Sequence, residues 1–254
     1  MDLNCKTFGQ GPALIILHGL FGSLDNWVTH ARKLAESYSV YLVDQRNHGK
    51  SPHAEEWDYD VMAEDLYEFM DQRGIVQAHL LGHSMGGKTV MRFAGEYPER
   101  VDKLLVIDMA PKHYKPHHTA ILKALTALDL KQIGSRQEAD AILAKDIPQA
   151  SVRQFLLKGL GRDEQGGYRW KFNLEVINRK YEEVLKNVAI DFPFEKPSLF
   201  LYGEASPYMD PADFGLIREL FPQAEFVGLP GVGHWIHAEA PEDFLREVHR
   251  FLAG

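Results

Sequence analysis

Hydrophobic positions along the chain recur in two rhythms. Short, nearly continuous apolar runs appear at Ala13 to Leu17, Val40 to Val43, Ala78 to Leu81, Lys103 to Ile107 and Ser198 to Tyr202. Runs of this length with branched side chains suit strands covered on both faces, as in a mostly parallel sheet. Between them, apolar residues fall at helical spacing. Trp27, Ala31 and Leu34 mark a helix that Ser23 or Asp25 caps and that runs to about Ser37; Val61, Leu66, Phe69 and Met70 mark a second, ending before Gly74. A third is expected over Lys88 to Tyr97. Strand and helix in regular alternation predict an open α/β sheet with helices on both faces.

From Pro111 to about Phe192 the rhythm changes to polar helical segments: Thr119 to Leu130, Arg136 to Ala144, Val152 to Leu160 and Leu174 to Val188, joined by Gly- and Pro-rich links. The pattern predicts a helical cap at 111–192 inserted into a core made of 1–110 and 193–254. Tyr114, Phe155, Tyr168, Trp170 and Phe172 either line a cavity beneath this cap or hold its helices together. After the cap the sheet resumes. Pro211 to Phe221 is expected as a helix, Glu225 to Leu229 as the last strand, and Pro241 to Leu252 as a closing amphipathic helix through Phe244, Leu245, Val248 and Phe251.

Composition narrows the classes. A 254-residue chain that is 45% hydrophobic can bury a large single core. A formal net charge of −8 and no basic stripe argue against nucleic acid as a partner. The single cysteine, Cys5, excludes an internal disulfide framework and fits a reducing compartment. The opening Met1-Asp2-Leu3-Asn4 lacks a signal-peptide pattern, and no apolar run approaches the roughly 18 residues of a membrane span. A soluble cytoplasmic protein is expected.

Two catalytic patterns overlap at Gly82-His83-Ser84-Met85-Gly86-Gly87-Lys88-Thr89. Gly82 to Gly86 is G-x-S-x-G, the turn that presents a serine nucleophile between a strand and a helix. Gly82 to Thr89 is also G-x-x-x-x-G-K-T, a phosphate-cradling P-loop, and Asp108 at the end of the next strand then stands where such proteins hold magnesium. The P-loop reading leaves His18-Gly19, the loop Asp44 to Ser51 and Gly233-His234 unexplained. The serine reading uses them. A serine hydroxyl needs a base within hydrogen-bond reach, itself oriented by an acid, in the chain order serine, acid, histidine. Ser84, Asp108 and His234 satisfy that order.

Taken together, His18-Gly19-Leu20-Phe21-Gly22 (HGxxG), Asp44-Gln45-Arg46-Asn47-His48-Gly49-Lys50-Ser51 (DxRxxGxS), the serine turn and Gly233-His234 resemble the α/β-hydrolase family over nearly the whole chain. Gly22 to Trp27, His83 to Lys88 and Ile107 to Pro111 more closely resemble the small esterases of the YbfF type and their mitochondrial relatives. The resemblance implies an oxyanion hole from the backbone N–H of Met85 and of Leu20, with Phe21 as the alternative second donor. It places Leu20, Phe21 and Met85 against the acyl site, and His83 and Trp235 beside it.

The acid departs from the family's commonest pattern. In many relatives it lies in the loop after the strand ending at Tyr202, as G-x-x-D, but here Gly203-Glu204-Ala205-Ser206 puts serine in that slot. Asp108 is the favoured acid, with Asp210 as the alternative. Among the histidines, His237 is the rival base, and His18 and His83 are expected to shape loops. His113, His117 and His118 cluster without accompanying carboxylates or thiols, so no metal is expected. Asp44 and Arg46 are expected to hold a loop together. The implied activity is a cofactor-free serine esterase or thioesterase acting on small acyl esters or acyl-CoA thioesters; other chemistries of the fold, such as C–C hydrolysis or a lyase reaction, use the same triad.

Overall fold

The computed structural model describes residues 1–254. Up to the cap, the chain forms β1 (Cys5–Phe8), β2 (Ala13–Leu17), α1 (Val28–Leu34), β3 (Ser39–Val43), α2 (Tyr59–Gln72), β4 (Ala78–His83), α3 (Met85–Glu96) and β5 (Val101–Ile107). Next come α4 (Thr119–Ala127), α5 (Arg136–Leu143), α6 (Ala150–Lys158), a small hairpin β6 (Leu160–Arg162) and β7 (Tyr168–Trp170), α7 (Leu174–Arg179) and α8 (Tyr181–Leu185). The remainder is β8 (Ser198–Gly203), α9 (Phe214–Leu220), β9 (Ala224–Leu229), α10 (Ile236–Glu239) and α11 (Pro241–Ala253).

The main sheet has seven strands in the order β1-β3-β2-β4-β5-β8-β9. Only the edge strand β1 runs antiparallel, against β3; all other pairings are parallel. The strand period of two explains why the central runs are apolar without a break. Ile15, Leu17, Leu80, Leu104, Val106 and Phe200 pack on the face shared with α2, α3 and the segment between β5 and β8. Their neighbours Leu14, Ile16, Leu81, Leu105, Ile107 and Leu199 pack on the opposite face against α1 and α11. The helices α4–α8 and the β6–β7 hairpin, the segment expected as a cap, add no strand to the main sheet. No helix is long and apolar enough to cross a membrane.

Several expected boundaries shift. The helix expected from Ser23 to Ser37 begins as a 3-10 turn at Leu24–Trp27, where Ser23 N–H donates to Asn26 Oδ1 at 2.8 Å, and only then becomes α1. The 3-10 turn Pro211–Asp213 likewise precedes α9. The segment Leu174 to Val188 is two helices broken at Lys180, which caps both ends. Neither β1 nor the cap hairpin was anticipated, since four and three residues respectively are too short to show a strand period.

Candidate active site

The turn from β4 into α3 presents Ser84 in a backbone conformation, φ 53° and ψ −116°, that a non-glycine residue adopts only when its surroundings hold it there. Ser84 N–H donates to Ile107 O at 3.1 Å, and Ser84 O accepts from Lys88 N–H at 3.1 Å. The flanking glycines are set by crowding. A Cβ on Gly82 would lie 2.1 Å from Gly86 O, and one on Gly86 would lie 2.5 Å from Leu17 O and 2.7 Å from His18 O. The tight turn thus packs directly on the end of β2, which carries the His18–Gly22 loop.

That loop is fixed from below. His18 Nδ1–H donates to Gly19 O at 2.9 Å while its Nε2 accepts from Gln45 N–H at 3.1 Å. Phe21 stands at φ 62°, and its N–H donates to His48 Nε2 at 3.3 Å. Leu20 N–H has no partner within the chain. Met85 N–H is the first of α3, one of the unpaired donors at a helix start. Of the two alternatives for a second oxyanion donor, Leu20 is therefore free and Phe21 is engaged.

Asp108 follows β5, fully buried, at φ 51°. Its Oδ1 accepts from Gly203 N–H at 3.1 Å; its Oδ2 accepts from the Ser206 hydroxyl and lies 2.6 Å from His234 Nδ1. Burial pushes the Asp108 carboxyl up to about 6, against the opposing pull of the Ser206 and Gly203 donors. Burial also holds His234 well below the usual imidazole value, so the ring is neutral and available to accept a proton. His83 Nε2–H donates to His234 O at 2.9 Å, and Tyr208 stacks on the His234 ring at 4.0 Å between centroids. Asp210, the alternative acid, instead caps the turn Pro211–Asp213 by accepting from Ala212 N–H at 2.7 Å, and makes no hydrogen bond or ion pair with a histidine. His237, the alternative base, stacks on Trp27 at 4.3 Å with its Nδ1 unpartnered, so no acid orients it.

Ser84 and His234 line one cavity of about 490 Å³ that also takes in Phe21, His83 and Trp235. His118, Val152 and Phe155, from the segment between β5 and β8, also line it. A second, narrow cavity of about 30 Å³ shares Leu20, Ser84, His118 and Tyr208 with the first and adds Met85. Of the five aromatic residues considered for the cap, Phe155 lines the larger cavity and Tyr114 the narrower one. Tyr168, Trp170 and Phe172 line neither. Trp170 and Phe172 stack on each other at 5.1 Å inside the core, and Tyr168 sits in the hairpin against Arg162.

The P-loop alternative is overturned here. Lys88 Nζ is buried and donates to Leu185 O at 3.3 Å and Lys186 O at 2.5 Å, between the rings of Tyr59 and Tyr114. Thr89 Oγ1 is engaged with Gln45 Oε1 at 2.8 Å. Both side chains a nucleotide needs are turned into the protein, and Gly86 packs on carbonyl oxygens where a phosphate would sit. The cap histidines do not converge either: no three His, Cys, Asp or Glu side chains form a set able to hold a metal ion. Asp44 and Arg46 hold loops, Asp44 accepting from Leu24 N–H and Lys50 N–H, and Arg46 pairing with Asp65.

Sequence reasoning missed Ser206, Tyr208 and His118. The signal for Ser206 was present in the departure itself, since the hydroxyl in the usual acid slot donates to the carboxylate of Asp108, the residue favoured in its place.

Comparison with known proteins agrees with this architecture. Residues 12–132 match a family model described as the alpha/beta hydrolase fold. The chain is 38% identical to the mouse sn-1-specific diacylglycerol lipase ABHD11, over 95% of this chain and 81% of that one, and 38% identical to the esterase YbfF of Escherichia coli K12, over 94% and 92%. A solved marine microorganism esterase superposes with a TM-score of 0.96 at 42% identity, covering 99% of each chain.

Proposed function

Because the chain belongs to the α/β-hydrolase family and is a carboxylic-ester hydrolase of it, we propose that it works through an acyl-enzyme on Ser84, with His234 as base and Asp108 as its orienter. The observation that carries this reading is the 2.6 Å contact of buried Asp108 Oδ2 with Nδ1 of His234, which lines the same cavity as Ser84. In acylation, Ser84 Oγ attacks the ester carbonyl carbon while His234 Nε2 takes its proton. The tetrahedral oxyanion is received by the N–H groups of Leu20 and Met85, each such donor contributing about 3 to 4 kcal/mol of barrier lowering. The C–O bond to the leaving group then breaks as His234 returns the proton to that oxygen. Water, activated by His234, hydrolyses the acyl-enzyme.

The Asp108 carboxylate keeps the Nδ1–H tautomer of His234 in place and stabilises the imidazolium that forms. Residues 111–192 act as a cap that closes the substrate cavity, and the same site accepts acyl-CoA thioesters because only the leaving atom changes. Ser84→Ala is expected to lower turnover of a short p-nitrophenyl ester by about three or more orders of magnitude. Retention of most turnover would remove Ser84 from the mechanism. A panel of acyl esters and acyl-CoA thioesters of graded length, compared by kcat/KM, tests the thioester part; activity on esters alone would restrict the proposal to esters.

A further inference from the structure

Tyr208 is placed over the base by four independent restraints. Its N–H donates to Ser206 Oγ at 3.2 Å, its carbonyl accepts from Tyr114 Oη at 2.6 Å, its ring stacks on His234, and its hydroxyl lies 3.3 Å from His118 Nε2. Both cavities that meet at Ser84 are lined by it. What the hydroxyl does with its proton follows from a chain of hydrogen bonds across the cap.

The chain starts at Tyr181. Its hydroxyl oxygen accepts from His117 N–H at 3.3 Å and from His118 N–H at 3.1 Å, which occupies both lone pairs. The hydroxyl proton therefore goes to the remaining neighbour, His118 Nδ1, at 2.8 Å. His118 is half-buried, and its desolvation lowers it to about 4, so the ring is neutral and carries a single proton. With Nδ1 accepting, that proton sits on Nε2 and is donated to Tyr208 Oη. The phenolic proton of Tyr208 is then free of His118 and is the one presented to a ligand in the cavity.

We infer that Tyr208 is a catalytic residue of this chain that donates a hydrogen bond to the leaving-group oxygen of the ester, with Tyr181 and His118 as positioning residues that fix the direction of its proton. The inference rests on the Ser84 acyl-enzyme reading. The leaving group is the relevant partner because Tyr208 lies on the His234 ring, and His234 delivers its proton to that oxygen as the C–O bond breaks. Tyr208 keeps its own proton throughout; it donates a hydrogen bond while negative charge develops on the departing oxygen, and His234 supplies the proton that balances the step.

A leaving-group comparison at constant acyl chain tests this. For Tyr208→Phe, kcat/KM, which reports acylation, is expected to fall about tenfold or more on ethyl butyrate, whose alkoxide is a poor leaving group, and less than about threefold on p-nitrophenyl butyrate, whose phenolate departs unaided. Tyr181→Phe is expected to lose activity with the same leaving-group dependence, because His118 can then turn its acceptor nitrogen toward Tyr208 and capture its proton. The double variant is expected to be no worse than Tyr208→Phe alone. Equal losses on the two esters, or no loss, would overturn the role of Tyr208; Tyr181→Phe also carries the test if Tyr208→Phe does not fold. Labelling by a serine-directed phosphonate separates this outcome from failure of the underlying reading: wild type that is not labelled at Ser84 refutes the acyl-enzyme, whereas labelled protein with an unchanged ester ratio refutes only Tyr208.

Discussion

Replacing Ser206 by alanine tests how the proposed acid, Asp108, is held. Asp108 Oδ2 has two partners, the Ser206 hydroxyl and His234 Nδ1–H, and Oδ1 has only Gly203 N–H. Ser206 is the largest cause opposing the upward push of burial on this carboxyl. A hydrogen bond to a charged group contributes about 1.5 to 3 kcal/mol, so its loss moves the carboxyl up by about one to two pH units from its starting value. Burial holds the Asp108 carboxyl up at about 6, and in the proposed mechanism a protonated Asp108 no longer orients the imidazole. The sign is therefore fixed. Activity is expected to be full above this range and to fall as pH drops through it, and in Ser206→Ala the fall is expected to begin at higher pH. The assay is kcat/KM for p-nitrophenyl butyrate from pH 4.5 to 9 in buffers of constant ionic strength. The acid limb is expected near pH 6 in wild type and about one to two units higher in the variant, with near-normal rates on the alkaline side. An acid limb at the same pH in both proteins refutes the assignment of Ser206 as a partner of the ionised acid.

Other perturbations follow from the same geometry. Asp108→Asn is expected to reduce kcat by about 10⁴ through loss of the required tautomer, while Asp210→Asn leaves kcat within about twofold, since that side chain only caps a turn; steady-state kinetics on both variants checks this. Gly86→Ala, a change that raises helix propensity, is expected to destabilise by about 2 kcal/mol or more because the new methyl meets Leu17 O and His18 O; urea unfolding measures it. Lys88 is held down to about 7 by burial, so the unfolded chain binds the extra proton between there and the ordinary lysine value. Stability should accordingly rise with pH across that window in wild type, and Lys88→Met should flatten the rise when Tm is followed against pH.

The sheet was legible in the sequence because its central strands are buried on both faces, which leaves an unbroken apolar run that no amphipathic helix shares. The turns around the site were legible for a different reason. Gly82 and Gly86 stand where backbone meets backbone, and Ser84, Asp108 and Phe21 sit at positive φ, so the residue choice there is constrained locally. The Asp108–His234 pairing was visible only as chain order, since 126 residues separate the two and the pairing of β5 with β8 and of β8 with β9 decides whether they meet. What escaped was everything that depends on the cap's packing. Trp170 and Phe172 have the composition of a cavity lining but stack into the core, and His118, which sits in a segment that looked like a stray histidine cluster, is drawn by Tyr181 and Tyr208 into the wall above Ser84. Lys88 misled in the other direction, because a motif that cradles phosphate and a helix start that pins the cap share the same glycines and the same cation.

The central claim is that an acyl group passes through Ser84 Oγ. Intact-mass measurement after treatment with a serine-directed phosphonate, followed by peptide mapping, tests it most directly. One equivalent of adduct on the peptide carrying Ser84, absent in Ser84→Ala and slowed in Asp108→Asn, is the expected result. Adduct on another residue, or turnover that survives complete labelling, would contradict it.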